Sequence, residues 1–261
     1  MNEKIHYKDF KNLLKESRLS ESYPYLESFW DAYTYYMPLS CYLAKKMAEK
    51  IIQGETDYFK IIENEATTDY SKDGSVIKRY KLKTCDYPKN TCEIEGFEIP
   101  AEILFKKSAY DFIHWARVCF ELLTQLINSS LLKGENVDVE DYSIKQKVSS
   151  KLNEKKEYQK LHEMMLEIRD DNIYNYICDF DNCMKHVRLI SSNVNTVQIS
   201  FSKQPTPKFV FEEFSHNKNS HCKVDALKKI EEIEGFMSTS VYQLLLKVKN
   251  IIEVELSQSD E

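Results

Sequence analysis

Apolar residues recur at three- and four-residue steps over four long stretches of this chain, which places each set on one helical face. The first runs from Tyr25 to Ile52 through Phe29, Tyr33, Tyr36, Leu39, Leu43, Met47 and Ile51. Pro38 interrupts it: the ring crowds the preceding turn and the residue has no N–H to give, so a kink or break is predicted near Met37. Gln53-Gly54 then supplies a stop signal, since glycine accepts the left-handed conformation that ends helices. The second stretch, Ala101 to Leu132, carries Leu104, Phe105, Phe112, Trp115, Val118, Leu122, Leu123 and Leu126, and closes at Lys133-Gly134. The third runs from Tyr158 to about Ile190 and is predicted to break at Asp170-Asp171, where an acidic residue can cap a fresh start. The last runs from Leu227 to Ile252. Between the second and third, residues 135–157 are rich in lysine and serine, with Ile144, Val148 and Leu152 as a thin stripe; a solvated helix is predicted there.

Two stretches break the helical spacing. Between Thr56 and Pro100, Asp73-Gly74 reads as a turn and Val76 to Lys83 alternates in part as a strand does. Val194 to Ser202 and Lys208 to Phe214 alternate on either side of Pro205 and Pro207, which turn the chain. The pattern therefore predicts a mainly α protein, a helical bundle in one domain over 1–261, with β-hairpin insertions at about 56–100 and 193–215. No period of 20–50 residues recurs, so a solenoid is not inferred.

Composition narrows the function classes. With 261 residues and 42% hydrophobic content, the chain is long enough to bury a core of its own. Only 5 residues are glycine, and neither G-x-G-x-x-G nor G-x-x-x-x-G-K-[ST] occurs, which disfavours nucleotide binding through those loops. No cofactor is called for. The N-terminus is charged and lacks a signal-peptide core, and no apolar run approaches membrane-spanning length, so a cytosolic location without membrane partners is expected. The seven cysteines are odd in number and contain no C-x-x-C, which fits reduced, mostly buried thiols. A net charge of −6 argues against a chain that coats nucleic acid by phosphate neutralisation. No DNA partner is predicted, although a local basic cleft stays compatible with the charge.

The chemistry concentrates on one segment. At 100° per residue, Asp171, Asn175, Asp179, Asn182 and His186 fall within one arc of roughly 80°, opposite Ile173, Tyr176, Ile177, Phe180, Met184 and Val187. Such a row of amides, carboxylates and an imidazole reads either as a water-facing surface or as a cleft or dimer seam lined by His186.

Asp181-Asn182-Cys183-Met184-Lys185-His186, near the end of a helix in an all-helical setting, resembles the R-N-x-x-x-H signature of HEPN domains. Asn182 and His186 take the signature's polar and histidine positions; Asp181 stands where its arginine belongs. In catalytic members the resemblance implies a metal-independent ribonuclease in which histidine handles the proton of an RNA 2′-hydroxyl and arginine stabilises charge on the phosphate. An aspartate repels that charge, and losing one preorganised donor typically costs about 10²–10³ in rate. The resemblance therefore implies a non-catalytic or weakly active member, a homodimer that binds RNA or a partner protein in a prokaryotic defence or toxin-type system. Its binding groups would be Asn175, Asp179, Asp181 and Arg169. An endoribonuclease built on His186, with Asn182 as positioner and Arg188 or Lys185 as charge stabiliser, is the enzyme alternative. A structural interaction subunit without nucleic acid is the third.

Other groups give weaker signals. His216, His221 and Cys222 offer ligand types close together but lack a regular fourth ligand, and Cys85 with Cys92 offers only a pair, so no metal site is predicted. His114, among Phe112, Ile113 and Trp115, reads as a core histidine. Arg117 and Glu121 read as a surface ion pair, or alternatively as groups facing the His186 arc. The tyrosines crowded at 23, 25, 33, 35, 36 and 42 read as core-edge residues with hydroxyls in water.

Overall fold

The computed structural model describes residues 5–73, 75–79, 90–133, 135, 137–138, 144–186, 190, 192–195, 207–216 and 218–259. Helices α1 (Tyr7–Glu16), α2 (Tyr23–Asp31) and α3 (Met37–Asn64) precede two small hairpins. These are β1 (Thr67–Tyr70) with β2 (Val76–Arg79), and β3 (Thr91–Ile94) with β4 (Phe97–Pro100), both antiparallel. Then come α4 (Ala101–Leu131), α5 (Ile144–Asn153), α6 (Gln159–Asp170) and α7 (Asn172–His186). Strands β5 (Ser192–Asn195), β6 (Lys208–Phe211) and β9 (Val224–Asp225) form a three-stranded sheet in the order β5-β6-β9, and β7 (Phe214–His216) pairs with β8 (Asn219–His221). Helices α8 (Ala226–Phe236) and α9 (Tyr242–Ser259) end the described chain. The mainly α expectation with hairpin insertions holds.

Helix α4 is the axis of the molecule. Phe105, Phe112, Ile113, Cys119, Phe120, Leu123, Leu126 and Ile127 are all buried along it, because α2, α3, α5, α7, α8 and α9 pack around it. One buried apolar cluster runs from Ile5 to Ile252. Asn128, itself buried, secures the exit from α4: its amide donates to the Val137 carbonyl at 2.7 Å and accepts from the Val137 N–H at 2.8 Å. A side-chain amide thus does for this loop what a strand partner would do.

Three predicted breaks resolve differently. The one at Pro38 takes the form of a π-helical turn, Ala32–Tyr36, in which the Met37 N–H reaches back to the Ala32 carbonyl. Widening the turn ahead of the proline absorbs its ring and missing donor without ending the helix. A second such turn, Met237–Val241, joins α8 to α9, and the Ser238 and Thr239 hydroxyls both donate to the Gly235 carbonyl at 2.9 Å. Gln53-Gly54 does not stop α3, which continues to Asn64. Gly54 is instead a point of close approach: a Cβ built there would lie 1.9 Å from the Asn90 Oδ1. The break at Asp171 occurs as predicted, with its carboxylate accepting from the Ile173 N–H at 2.6 Å.

Each insertion is richer than one hairpin. The first holds two, the second of them turning on Glu95 (φ 49°) and Gly96 (φ 82°), the left-handed pair that a tight two-residue turn needs. After the second insertion, the polar stretch 215–220 folds back as β7–β8, seated on α7 through Tyr176–Phe214 and Phe180–Phe214 contacts with ring centroids 5.4 and 5.5 Å apart. Helix 144–153 has a buried stripe, since Val148 and Leu152 are fully enclosed. Among the described residues, no helix is long and apolar enough to cross a membrane.

Candidate functional site

Helix α7 presents its polar residues in three directions rather than as one water-facing row. Asn175 and Asn182 line a cleft of about 600 Å³ between α4, α5, α6 and α7. Asp179 turns the other way and is buried beneath β7–β8, where it accepts from Asn219 Nδ2 at 2.8 Å and from His221 Nε2 at 2.9 Å. His186 lies at the exposed end of the helix, with no hydrogen-bond or ion-pair partner among the described residues. The helical wheel groups these five side chains because it knows the period but not what covers each sector.

Asp181 is the electrostatic centre. Its carboxylate is 3% exposed and takes three basic groups: His114 Nδ1 at 2.9 Å, Arg117 Nη1 at 3.0 Å and Lys185 Nζ at 2.7 Å. Burial alone would raise its pKa, but the hydrogen bonds from His114 and Lys185, together with their charges, outweigh that and hold it below the ordinary carboxylate value. His114 is accordingly not a core histidine; its side chain is 37% exposed and is oriented by this carboxylate. Arg117 also donates to the Asn182 side-chain oxygen, and its Nε reaches Glu121 at 2.9 Å. Lys145 of α5 approaches the same Glu121 at 3.3 Å. Burial pushes the Glu121 pKa up, and the Lys145 charge with the Arg117 hydrogen bond brings it below its usual value.

The cleft above this network collects three ion-paired cations on a floor that includes Phe120, Met165 and Tyr174: Arg117 pairs with Asp181 and Glu121, Lys145 with Glu121, and Arg169 with Asp170 at 3.0 Å. The Lys145 ammonium stands 5.7 Å from the Tyr174 ring centre. Gln125 adds a buried side-chain oxygen with no hydrogen-bond partner among the described residues. A polar atom left in that state is one that a ligand donor can satisfy. Chemically, such a cleft can hold an anionic group on Lys145 and Arg169 while an apolar or planar portion rests on the floor.

Of the site residues read from sequence, Asn175, Asn182 and Arg169 come together in this cleft and Asp181 lies directly behind it. Lys185 is engaged with Asp181, Asp179 and His186 lie elsewhere, and Arg188 falls outside the described residues. Sequence reasoning missed Lys145, Tyr174 and Gln125. Lys145 sat in a lysine-rich stretch with nothing to distinguish it from its neighbours, and no periodicity reports that Gln125 lacks a partner among the described residues. Among the described residues, no group of three metal-ligating side chains occurs; His221 is taken by Asp179, and Cys85 lies outside the described residues. Comparison of the chain with family models, with curated proteins and with solved structures finds no match.

Proposed function

We propose that this chain is a binding protein rather than a working nuclease. In this reading it is a HEPN-like member without strong catalytic activity that takes the backbone of single-stranded RNA in the cleft between α4, α5, α6 and α7. The observation that carries the reading is the gathering of Arg117, Lys145 and Arg169 with Asn175 and Asn182 around one cleft, while His186 stands outside it. Amides and cations over an apolar floor suit phosphate oxygens and a stacked base, which single-stranded binding requires. An acidic chain can still do this, because the Lys145–Glu121 and Arg169–Asp170 pairs are open to solvent and weak, so a phosphate can compete for both cations. Action as a homodimer in a prokaryotic defence or toxin-type system in the cytosol comes with the same reading.

Incubation of the purified protein with single-stranded and with structured RNA in EDTA, alongside a gel shift of each, tests it. Retarded but intact RNA is the expected result. Cleavage that disappears in His186→Ala would instead establish the metal-independent endoribonuclease. Unchanged mobility at every protein concentration would leave a structural interaction subunit.

A further inference from the structure

A second cavity, of about 520 Å³, lies between α1 and α2 on a part of the surface unrelated to the cleft. Three aromatic side chains, Tyr7, Trp30 and Tyr35, and three carboxylates, Asp9, Glu27 and Asp31, line it. The Tyr7 and Trp30 rings have centroids 5.7 Å apart and are inclined at 44°, so they form two walls of a wedge rather than a closed stack. None of the three carboxylates makes an ion pair within 4 Å among the described residues, although surface carboxylates such as Asp57, Asp111 and Glu163 do. Lys8 also lines the cavity and the Lys11 charge reaches Glu27, which leaves three carboxylates against two ammonium groups.

The Tyr7 ring already receives a cation. The Lys11 ammonium lies 5.4 Å from the Tyr7 ring centre and 5.8 Å from that of Tyr23, and it donates to the Tyr7 hydroxyl at 3.1 Å. The chain's own ammonium thus rests against one ring of the cavity wall. A compact metal ion is not what the arrangement suits: the carboxylates do not converge into a ligand set. Aromatic faces replace the weak hydration of a bulky, diffuse cation far better than the tight shell of a small one.

We propose that this cavity binds a small quaternary ammonium group, with Trp30 and Tyr35 supplying ring faces and Asp31 the compensating charge.

Choline and its uncharged isostere 3,3-dimethyl-1-butanol separate cation recognition from simple apolar binding. Trp30 and Trp115 are the two tryptophans, so in Trp115→Phe the emission comes from Trp30 alone. Saturable quenching by choline is expected at low salt, with the alcohol at least fivefold weaker. Tyr35→Ala should weaken choline about two- to fivefold, the usual worth of one exposed ring face, and Asp31→Asn should weaken it while leaving the alcohol unchanged. Calorimetric titration of the unsubstituted protein with the same pair gives the answer without relying on the Trp115 variant. Absence of saturable choline binding in both measurements, equal binding of the alcohol, or choline binding indifferent to Tyr35→Ala and Asp31→Asn would each overturn the proposal.

Discussion

The Arg117 guanidinium on α4 and the Asp181 carboxylate on α7 meet at 3.0 Å, and the same arginine nitrogen donates to Asn182. A cation therefore does stand beside Asn182, but it arrives from another helix and is held by acidic groups. Asp181 is the reason: it serves as the shared counter-ion that lets His114, Arg117 and Lys185 converge at a helix contact.

Removing that counter-ion should be costly. Asp181→Ala leaves a largely buried guanidinium held by Glu121, Asn182 and the Cys178 carbonyl, and a loss of about 3 kcal/mol is expected, the low end for a broken buried pair because Lys185 and His114 reach water. Asp181→Arg, which would install the arginine of the signature motif, should be worse still, since it sets a further cation against Arg117 and Lys185 and leaves the His114 imidazole without its carboxylate. Urea unfolding of both variants checks the order.

The same carboxylate makes stability pH-dependent in a defined sense. Its folded pKa lies below the ordinary value, so its contribution is complete above about pH 4, the unfolded carboxylate range, and is lost as pH falls toward the folded pKa. The stability gap between the unsubstituted protein and Asp181→Asn should accordingly be constant at neutral pH and shrink below about pH 4. Thermal melts of the two at several pH values measure it.

Asp179 should behave as a staple for β7–β8 rather than as a ligand-binding group. Asp179→Ala leaves the Asn219 amide and His221 imidazole without their acceptor and should cost about 2 kcal/mol. Protease cleavage within 214–221 should rise in this variant, while RNA binding is unchanged.

Gly54 offers a test of close approach against helix propensity. In the middle of α3, Gly54→Ala should gain up to about 1 kcal/mol, but the added methyl meets the Asn90 side chain. The gain should be absent in the native background and appear in an Asn90→Ala background. A double-mutant cycle reads the difference directly.

How much of this was legible in the sequence follows from what each signal encodes. The helices over 101–131 and 226–259 could be read because their apolar residues keep a 3.6-residue period that burial alone enforces. Gly54 misled because glycine marks both a helix end and a crowded contact, and only the presence of Asn90 distinguishes them. On α7 the polar arc was visible, yet its division among cleft, hairpin and solvent depends on α4, α5 and β7–β8, which lie far away in sequence. Asp181 falls outside that arc on the wheel, and its burial against His114 and Arg117 shows why. The alternative that Arg117 and Glu121 face this helix is the one the geometry adopts for Arg117, a choice that i,i+4 spacing on α4 could not make.

Fluorescence anisotropy with a labelled single-stranded RNA, titrated across a range of salt, is the most direct test of the cleft. Lys145→Ala and Arg169→Ala should each weaken binding and lower the slope of log affinity against log salt by about 0.7, the share of one phosphate contact. His186→Ala should bind as the unsubstituted protein does. Binding that ignores both cation substitutions and collapses with His186→Ala would contradict the account and return the functional centre to the exposed end of α7.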